Sequence, residues 1–170
     1  DGLTCVAGGG TTPAPNPTAW VDVVAYTATQ LKTGNYAKCV GVSNASGQNY
    51  LNCGQFPADF DPSTMHIAYA LTPTDIANLV GKSWIAADFS IATKNSTLTK
   101  AHYQFFVDGA GLGVAGEIAL NGNTFVNVEK YVTNIGTVTN IELRIWPDPQ
   151  EAKGDQASRL RLNSLKLYAQ

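Results

Sequence analysis

From Trp20 onward the apolar residues of this chain recur at every second position, and that period decides what it can fold into. Successive side chains of a strand point to opposite faces, so a period of two gives each segment one apolar and one polar face. Met65, Ile67, Tyr69 and Leu71 alternate with His66, Ala68 and Ala70, and Ile85, Ala87, Phe89 and Ile91 alternate with Trp84, Ala86, Asp88 and Ser90. The pattern returns at Tyr103, Phe105 and Val107, at Val126, Val128 and Val132, and at Ile141, Leu143 and Ile145, with turn-rich segments between them. In the last run Leu160 and Leu162 share a parity that Leu165 and Leu167 do not, which predicts a β-bulge at Asn163 and Ser164. One short helix interrupts the series. Thr72 can cap it, Pro73 suits its first position, Asp75 complements the dipole, Ile76, Leu79 and Val80 form its apolar stripe, and Gly81 ends it. Strands at this spacing predict an all-β, antiparallel β-sandwich with one short helix.

A chain of 170 residues closes one sizeable core and is short for two. The expected division is an N-terminal arm at 1–18 and a sandwich domain at 19–170. The arm follows from its residues: Gly8 to Gly10 and Pro13, Pro15 and Pro17 suit neither a helix nor a central strand. Such a segment either docks on its own domain or packs between subunits. Charged residues are 14% of the chain, against about 25% in ordinary soluble domains. With 11 basic and 13 acidic residues the formal charge is -2, which offers no long-range attraction to nucleic acid or to an anionic membrane. No apolar stretch approaches the roughly 18 residues of a membrane span, so membrane insertion is not expected. The chain opens on Asp1 rather than Met, which is read here as a removed leader and points to export, to a secreted or surface-displayed location that includes a virion surface.

The cysteines, Cys5, Cys39 and Cys53, are odd in number and lack the spacing of a zinc site. Cys39 and Cys53 flank the turn-like Asn44-Ala45-Ser46-Gly47-Gln48 and are the favoured disulfide, facing each other across a hairpin. Cys5 is left open.

The segment from Met65 to Leu71, the helix ending in Leu79-Val80-Gly81-Lys82, and the strand holding Asp88 and Ser90 together resemble the carbohydrate-binding-module jelly rolls of families four, nine and twenty-two, with a galactose-binding-like fold. The closing Leu162-Asn163-Ser164-Leu165-Lys166-Leu167-Tyr168 resembles their last strand. The resemblance covers roughly residues 62–170. It implies a jelly roll, glycan binding without chemistry, and no cofactor beyond a structural calcium. In such modules a carboxylate in the last strand helps to hold that calcium, and Asn163 replaces it here. Similar jelly rolls also occur in tail, fibre and decoration proteins of bacterial viruses.

Aromatic rings on a sheet face bind sugars by stacking on the C–H face of a pyranose, while amides and charged groups take the hydroxyls. The outward parity predicts that mixture in Trp84 and Asp88, in His102, Gln104 and Phe106, in Asn127, Glu129 and Tyr131, and in Arg144 and Trp146. The candidate ligand-binding residues are Trp146, Arg144, Trp84, Phe106, Gln104 and Tyr131. Blander readings stand beside these: Trp146 as the cover of a core edge or a subunit contact, Trp84 as a residue under the helix, Arg144 as the partner of Glu142 or Glu129. Catalysis is not expected. His66 and His102 are the only histidines, no nucleophile elbow or phosphate loop is present, and Asp108, Glu117, Glu129 and Glu142 fall on separate segments. The sequons at Asn44 and Asn95 are short enough to arise by chance. The leading function is a carbohydrate-binding module or adhesin-like domain with a glycan partner. The alternative is a structural subunit of an extracellular or viral assembly, a decoration, fibre or filament protein that binds other copies of itself.

Overall fold

The computed structural model describes residues 15–16, 18–27, 39–45, 48–94, 97–136, 139–155 and 158–170, with the backbone alone for 26–27, 39–45 and 48. Among them the strands are β1 (Val21–Thr27), β2 (Cys39–Ala45), β3 (Gln48–Cys53), β4 (Ile67–Ala70), β5 (Trp84–Thr93), β6 (Lys100–Val107), β7 (Ala110–Ala119), β8 (Val126–Asn134), β9 (Ile141–Pro147) and β10 (Leu160–Ala169). The one α-helix, α1, is Pro73–Ala77, and a 3-10 turn covers Pro149–Glu151.

The strands form two antiparallel sheets. One runs in the order β2-β3-β10-β5-β8, with β1 also on β10; the other runs β4-β9-β6-β7. Strand β10 serves two neighbours along one edge. Leu160 to Leu162 pair with β3, and Ser164 to Ala169 pair with β1. The change of partner falls at the register shift between Leu162 and Ser164, the bulge that the leucine parity predicts. It keeps Leu160, Leu162, Leu165 and Leu167 all on the buried side.

The core lies between the sheets. Ile85, Ala87, Phe89 and Ile91 of β5 face Ile141, Leu143 and Ile145 of β9 and Tyr103 and Phe105 of β6, the positions that the alternation assigns to the interior. The helix is fixed at its start by a capping box: Thr72 Oγ1 accepts from Asp75 N at 3.2 Å, and Asp75 Oδ2 accepts from Thr72 N at 2.8 Å. Tyr69 Oη also donates to Asp75 Oδ2, tying the helix to β4. Of the predicted stripe, Leu79 is buried, whereas Val80 is 81% exposed. The helix stops at Ala77, so the turn before Gly81 carries Val80 away from the face that Ile76 and Leu79 share.

One parity differs from expectation, in β8. Ala87 pairs with Tyr131 and Phe89 with Val128, so Glu129 and Lys130 together stand opposite the single residue Asp88. Lys130 takes the left-handed conformation, φ +48°, and its N–H donates to Asp88 Oδ1 at 2.6 Å. The extra residue reverses the faces beyond it, so Tyr131 points inward. Strand β7 was not foreseen, because Gly111, Gly113 and Gly116 erase its alternation.

The hairpin of β2 and β3 places Cys39 opposite Cys53 in register. Cys53 is disulfide-bonded. The side chain of Cys39, the whole of Cys5 and the sequon at Asn95 lie outside the described residues. Asn16 and Gln170 are joined by two hydrogen bonds: Asn16 N donates to Gln170 Oε1 at 2.8 Å, and Gln170 Nε2 donates to Asn16 O at 3.1 Å.

Candidate functional site

The outer face of the β4-β9-β6-β7 sheet gathers four of the six candidate residues. Cross-strand register sets Trp146 opposite His102, Arg144 opposite Gln104 and Glu142 opposite Phe106, all on the face away from the core. From Lys100 to Phe106 the row runs about 20 Å at roughly 3.4 Å per residue, the length of several sugar rings.

At one end the Trp146 and His102 rings run nearly parallel, 24° apart with centroids separated by 6.0 Å. Trp146 is half-buried, its base packed on the core and its strand ended by Pro147. Around the two rings stand Lys100, Glu117 and Asp148. Lys100 Nζ lies 3.6 Å from Glu117 and 3.5 Å from Asp148, and His102 lies within 4.0 Å of the same two carboxylates. Glu117 raises the Lys100 pKa above its ordinary value, with Asp148 adding to the effect. Asp148 is held in place by the N–H of Gln150, which donates to its Oδ1 at 2.9 Å. Glu117 is the most open member, its side chain 53% exposed.

At the other end the Arg144 guanidinium sits 4.0 Å over the Phe106 ring and pairs with Glu142. It is the charge partner of Glu142 that the blander reading names. Between the two ends Gln104 Nε2 donates to the carbonyl of Gly113 at 2.9 Å, where β7 bulges away from β6. A Cβ on Gly111 would come within 2.7 Å of the Gln104 amide, so a glycine there lets this side chain lie flat across the sheet.

Trp84 and Tyr131 are elsewhere. Trp84 starts β5 in the other sheet, where its backbone exchanges hydrogen bonds with Gln170. Tyr131, expected on an outer face, lies between the sheets: its ring is 4.9 Å from Tyr103 and 5.6 Å from Phe105, and its hydroxyl donates to the carbonyl of Val114. Burial pushes its pKa up to about 12. The bulge opposite Asp88 is the cause of this inward turn. In turn, sequence reasoning left Lys100, Glu117 and Asp148 out of the site. They belong to β6, β7 and the loop after β9, and only the pairing of those strands brings them together.

Among the described residues no three His, Cys, Asp or Glu side chains form a metal-ligating group. Asn163, at the position where the resemblance implies a calcium-holding carboxylate, sits in the β10 bulge. The described residues there do not form a set of ligands for that ion. Among the described residues no helix is long and apolar enough to cross a membrane.

No protein-family model matches the chain, and no curated protein does. Solved structures share the fold. The arabinose-bound MgGH51 α-L-arabinofuranosidase superposes with a TM-score of 0.51 at 11% identity, over 89% of this chain and 23% of that one. The carbohydrate-binding module CBM36 in complex with calcium and xylotriose gives 0.46 at 12% identity, over 85% and 98%. The module CBM6cm-2 from Cellvibrio mixtus lichenase 5A, in complex with cellotriose, gives 0.42 at 12% identity, over 86% and 97%. The chain spans about a fifth of these larger proteins, 18% of a Paenibacillus cycloisomaltooligosaccharide glucanotransferase and 23% of the arabinofuranosidase. The fold is the antiparallel β-sandwich that the alternation predicts. At these identities the likeness is one of fold.

Proposed function

We propose that this domain binds glycans, without catalysis, on the outer face of the β4-β9-β6-β7 sheet, with Trp146 as the stacking residue. The observation that carries the reading is the near-parallel pair of Trp146 and His102, set among Lys100, Glu117 and Asp148. A flat apolar surface beside polar groups is what a pyranose needs, with one C–H face to cover and hydroxyls to satisfy. The described carboxylates of this face, Glu117, Asp148 and Glu142, are each engaged by a cation, which suits recognition better than acid–base work. Two of the modules that superpose on the chain were solved with xylotriose and cellotriose, and short neutral oligosaccharides are the first ligands to try.

The disulfide at Cys53 supports a secreted or surface-displayed location, because disulfides persist in oxidising compartments. Cys39, opposite it in register, is the proposed partner, and non-reducing peptide mapping identifies it. A second reading, a structural subunit of an extracellular or viral assembly, draws on β7, an edge strand with Val114 62% exposed and no charge from Ala110 to Gly116. The bulge opposite Gln104 breaks that edge into two short runs, which limits the ladder a second chain can add.

A glycan array run together with light scattering tests both readings. Reproducible binding by a monomer supports glycan recognition, and large assemblies that bind no glycan support the structural subunit.

A further inference from the structure

The glycan-binding reading leaves open which glycans are refused, and the charge pattern around Trp146 bears on that. Lys100 is the lysine of this cluster, and it is shared between Glu117 and Asp148. Both carboxylates also flank His102. Lys100, Glu117 and Asp148 together hold one positive and two negative charges. The two carboxylates differ in standing. Asp148 is 18% exposed and pinned by the Gln150 N–H, so it belongs to the fixed structure of the loop. Glu117 is 53% exposed on the edge strand β7, where its side chain can be replaced without unfilling the core.

Resting on that reading, we propose that Glu117 sets the charge selectivity of the site. Its carboxylate occupies Lys100, the cation beside Trp146 that an acidic sugar would use, and adds a negative charge at the mouth of the platform. A uronate or sulfate group approaching Trp146 meets like charge and finds the nearby cation engaged. Arg144, farther along the row, is engaged in the same manner by Glu142 and the Phe106 ring, and is 11% exposed. Removal of the Glu117 charge leaves Lys100 with Asp148 alone and shifts the cluster from net negative to neutral.

The test is affinity electrophoresis of the whole chain in gels holding a neutral polymer, such as unsubstituted xylan or β-glucan, or a uronate polymer, such as polygalacturonate. The native protein, Glu117→Gln and Glu117→Asp are run at low and at high salt. The readout is the ratio of uronate affinity to neutral affinity for each protein. In Glu117→Gln this ratio rises by roughly fivefold, the size of one charge–charge interaction at about 4 Å in water. The rise shrinks at high salt, where such interactions are screened, and the charge-conserving Glu117→Asp keeps the native ratio. A purely structural role for Glu117 would move both affinities together and leave the ratio alone. An unchanged ratio in Glu117→Gln, with neutral binding by the native protein intact, overturns the selectivity role and leaves the glycan reading standing. Uronate binding by the native protein as strong as neutral binding overturns it as well. Failure of the native protein to bind any polymer overturns the parent reading, and this one with it.

Discussion

Asp88 and Tyr131 lie on adjacent strands, and the first decides which way the second points. Asp88 Oδ1 takes the N–H of Lys130 at 2.6 Å, holding Lys130 in its left-handed turn so that the next residue, Tyr131, enters the core. Asp88 Oδ2 accepts from Tyr168 Oη at 2.6 Å, so the same carboxylate also links β5 to β10. Replacing Asp88 by Ala removes both bonds and is expected to cost about 2–3 kcal/mol in urea unfolding, since hydrogen bonds to a carboxylate are the stronger kind. Asp88 is in the sheet opposite Trp146, so a folded Asp88→Ala protein is expected to keep the proposed glycan affinity.

Tyr131 makes stability fall in alkali. Its folded pKa, raised to about 12 by burial, lies above the ordinary 10, so the folded state holds the phenolic proton more tightly. The resulting stability is complete below about pH 10 and is lost as pH rises through 12. Thermal melts across that window are expected to show the loss in the native protein and a shallower one in Tyr131→Phe, which also forfeits about 1 kcal/mol for the bond to Val114.

His66 acts on the acid side. It is fully buried, its Nδ1 lies 2.8 Å from the Pro62 carbonyl, and its Nε2 is buried without a partner. Burial holds its pKa below the ordinary 6.5; the Pro62 carbonyl opposes this, as does Glu142, while Arg144 reinforces it. An unfolded chain therefore takes up a proton that the folded one resists. Stability is whole above about pH 6.5 and falls as pH drops toward the lowered folded value. Chemical unfolding of His66→Gln at a series of pH values is expected to lack this slope, whatever its stability at neutral pH.

Gly116 has no room for a side chain. A Cβ there would sit 2.1 Å from Tyr103 Cε2 and 2.4 Å from its Cζ, and that ring is already packed edge-on against Phe89 and Tyr131. Gly116→Ala is expected to destabilise the protein by roughly 1–3 kcal/mol, read from the urea midpoint.

The legible parts of the fold were those where burial writes itself into alternation. The inward residues of β4, β5, β6 and β9, the leucines of β10 with their bulge, and the cap at Thr72 could all be read from spacing. The β8 bulge left no such trace, because Val126, Val128 and Val132 are apolar on either assignment and the deciding bond comes from Asp88, more than forty positions away in the chain. Strand β7 hid behind glycines that fit under Tyr103 and Gln104. At the site, Trp146, Arg144, Phe106 and Gln104 were readable as outward residues, yet their convergence was not, since it depends on β6 pairing with β9. Lys100, Glu117 and Asp148 look like scattered surface charge until that pairing is known.

The most direct test is calorimetric titration of the best array ligand into the native protein, Trp146→Ala and Trp84→Ala. Loss of one stacking residue is expected to weaken binding by tenfold or more in Trp146→Ala. Trp84, on the opposite sheet, should leave the affinity within about twofold, a change inside the usual scatter for surface positions away from a contact. Binding that survives in Trp146→Ala at native strength, or that vanishes in a folded Trp84→Ala protein, would contradict the placement of the site on the outer face of β9 and β6.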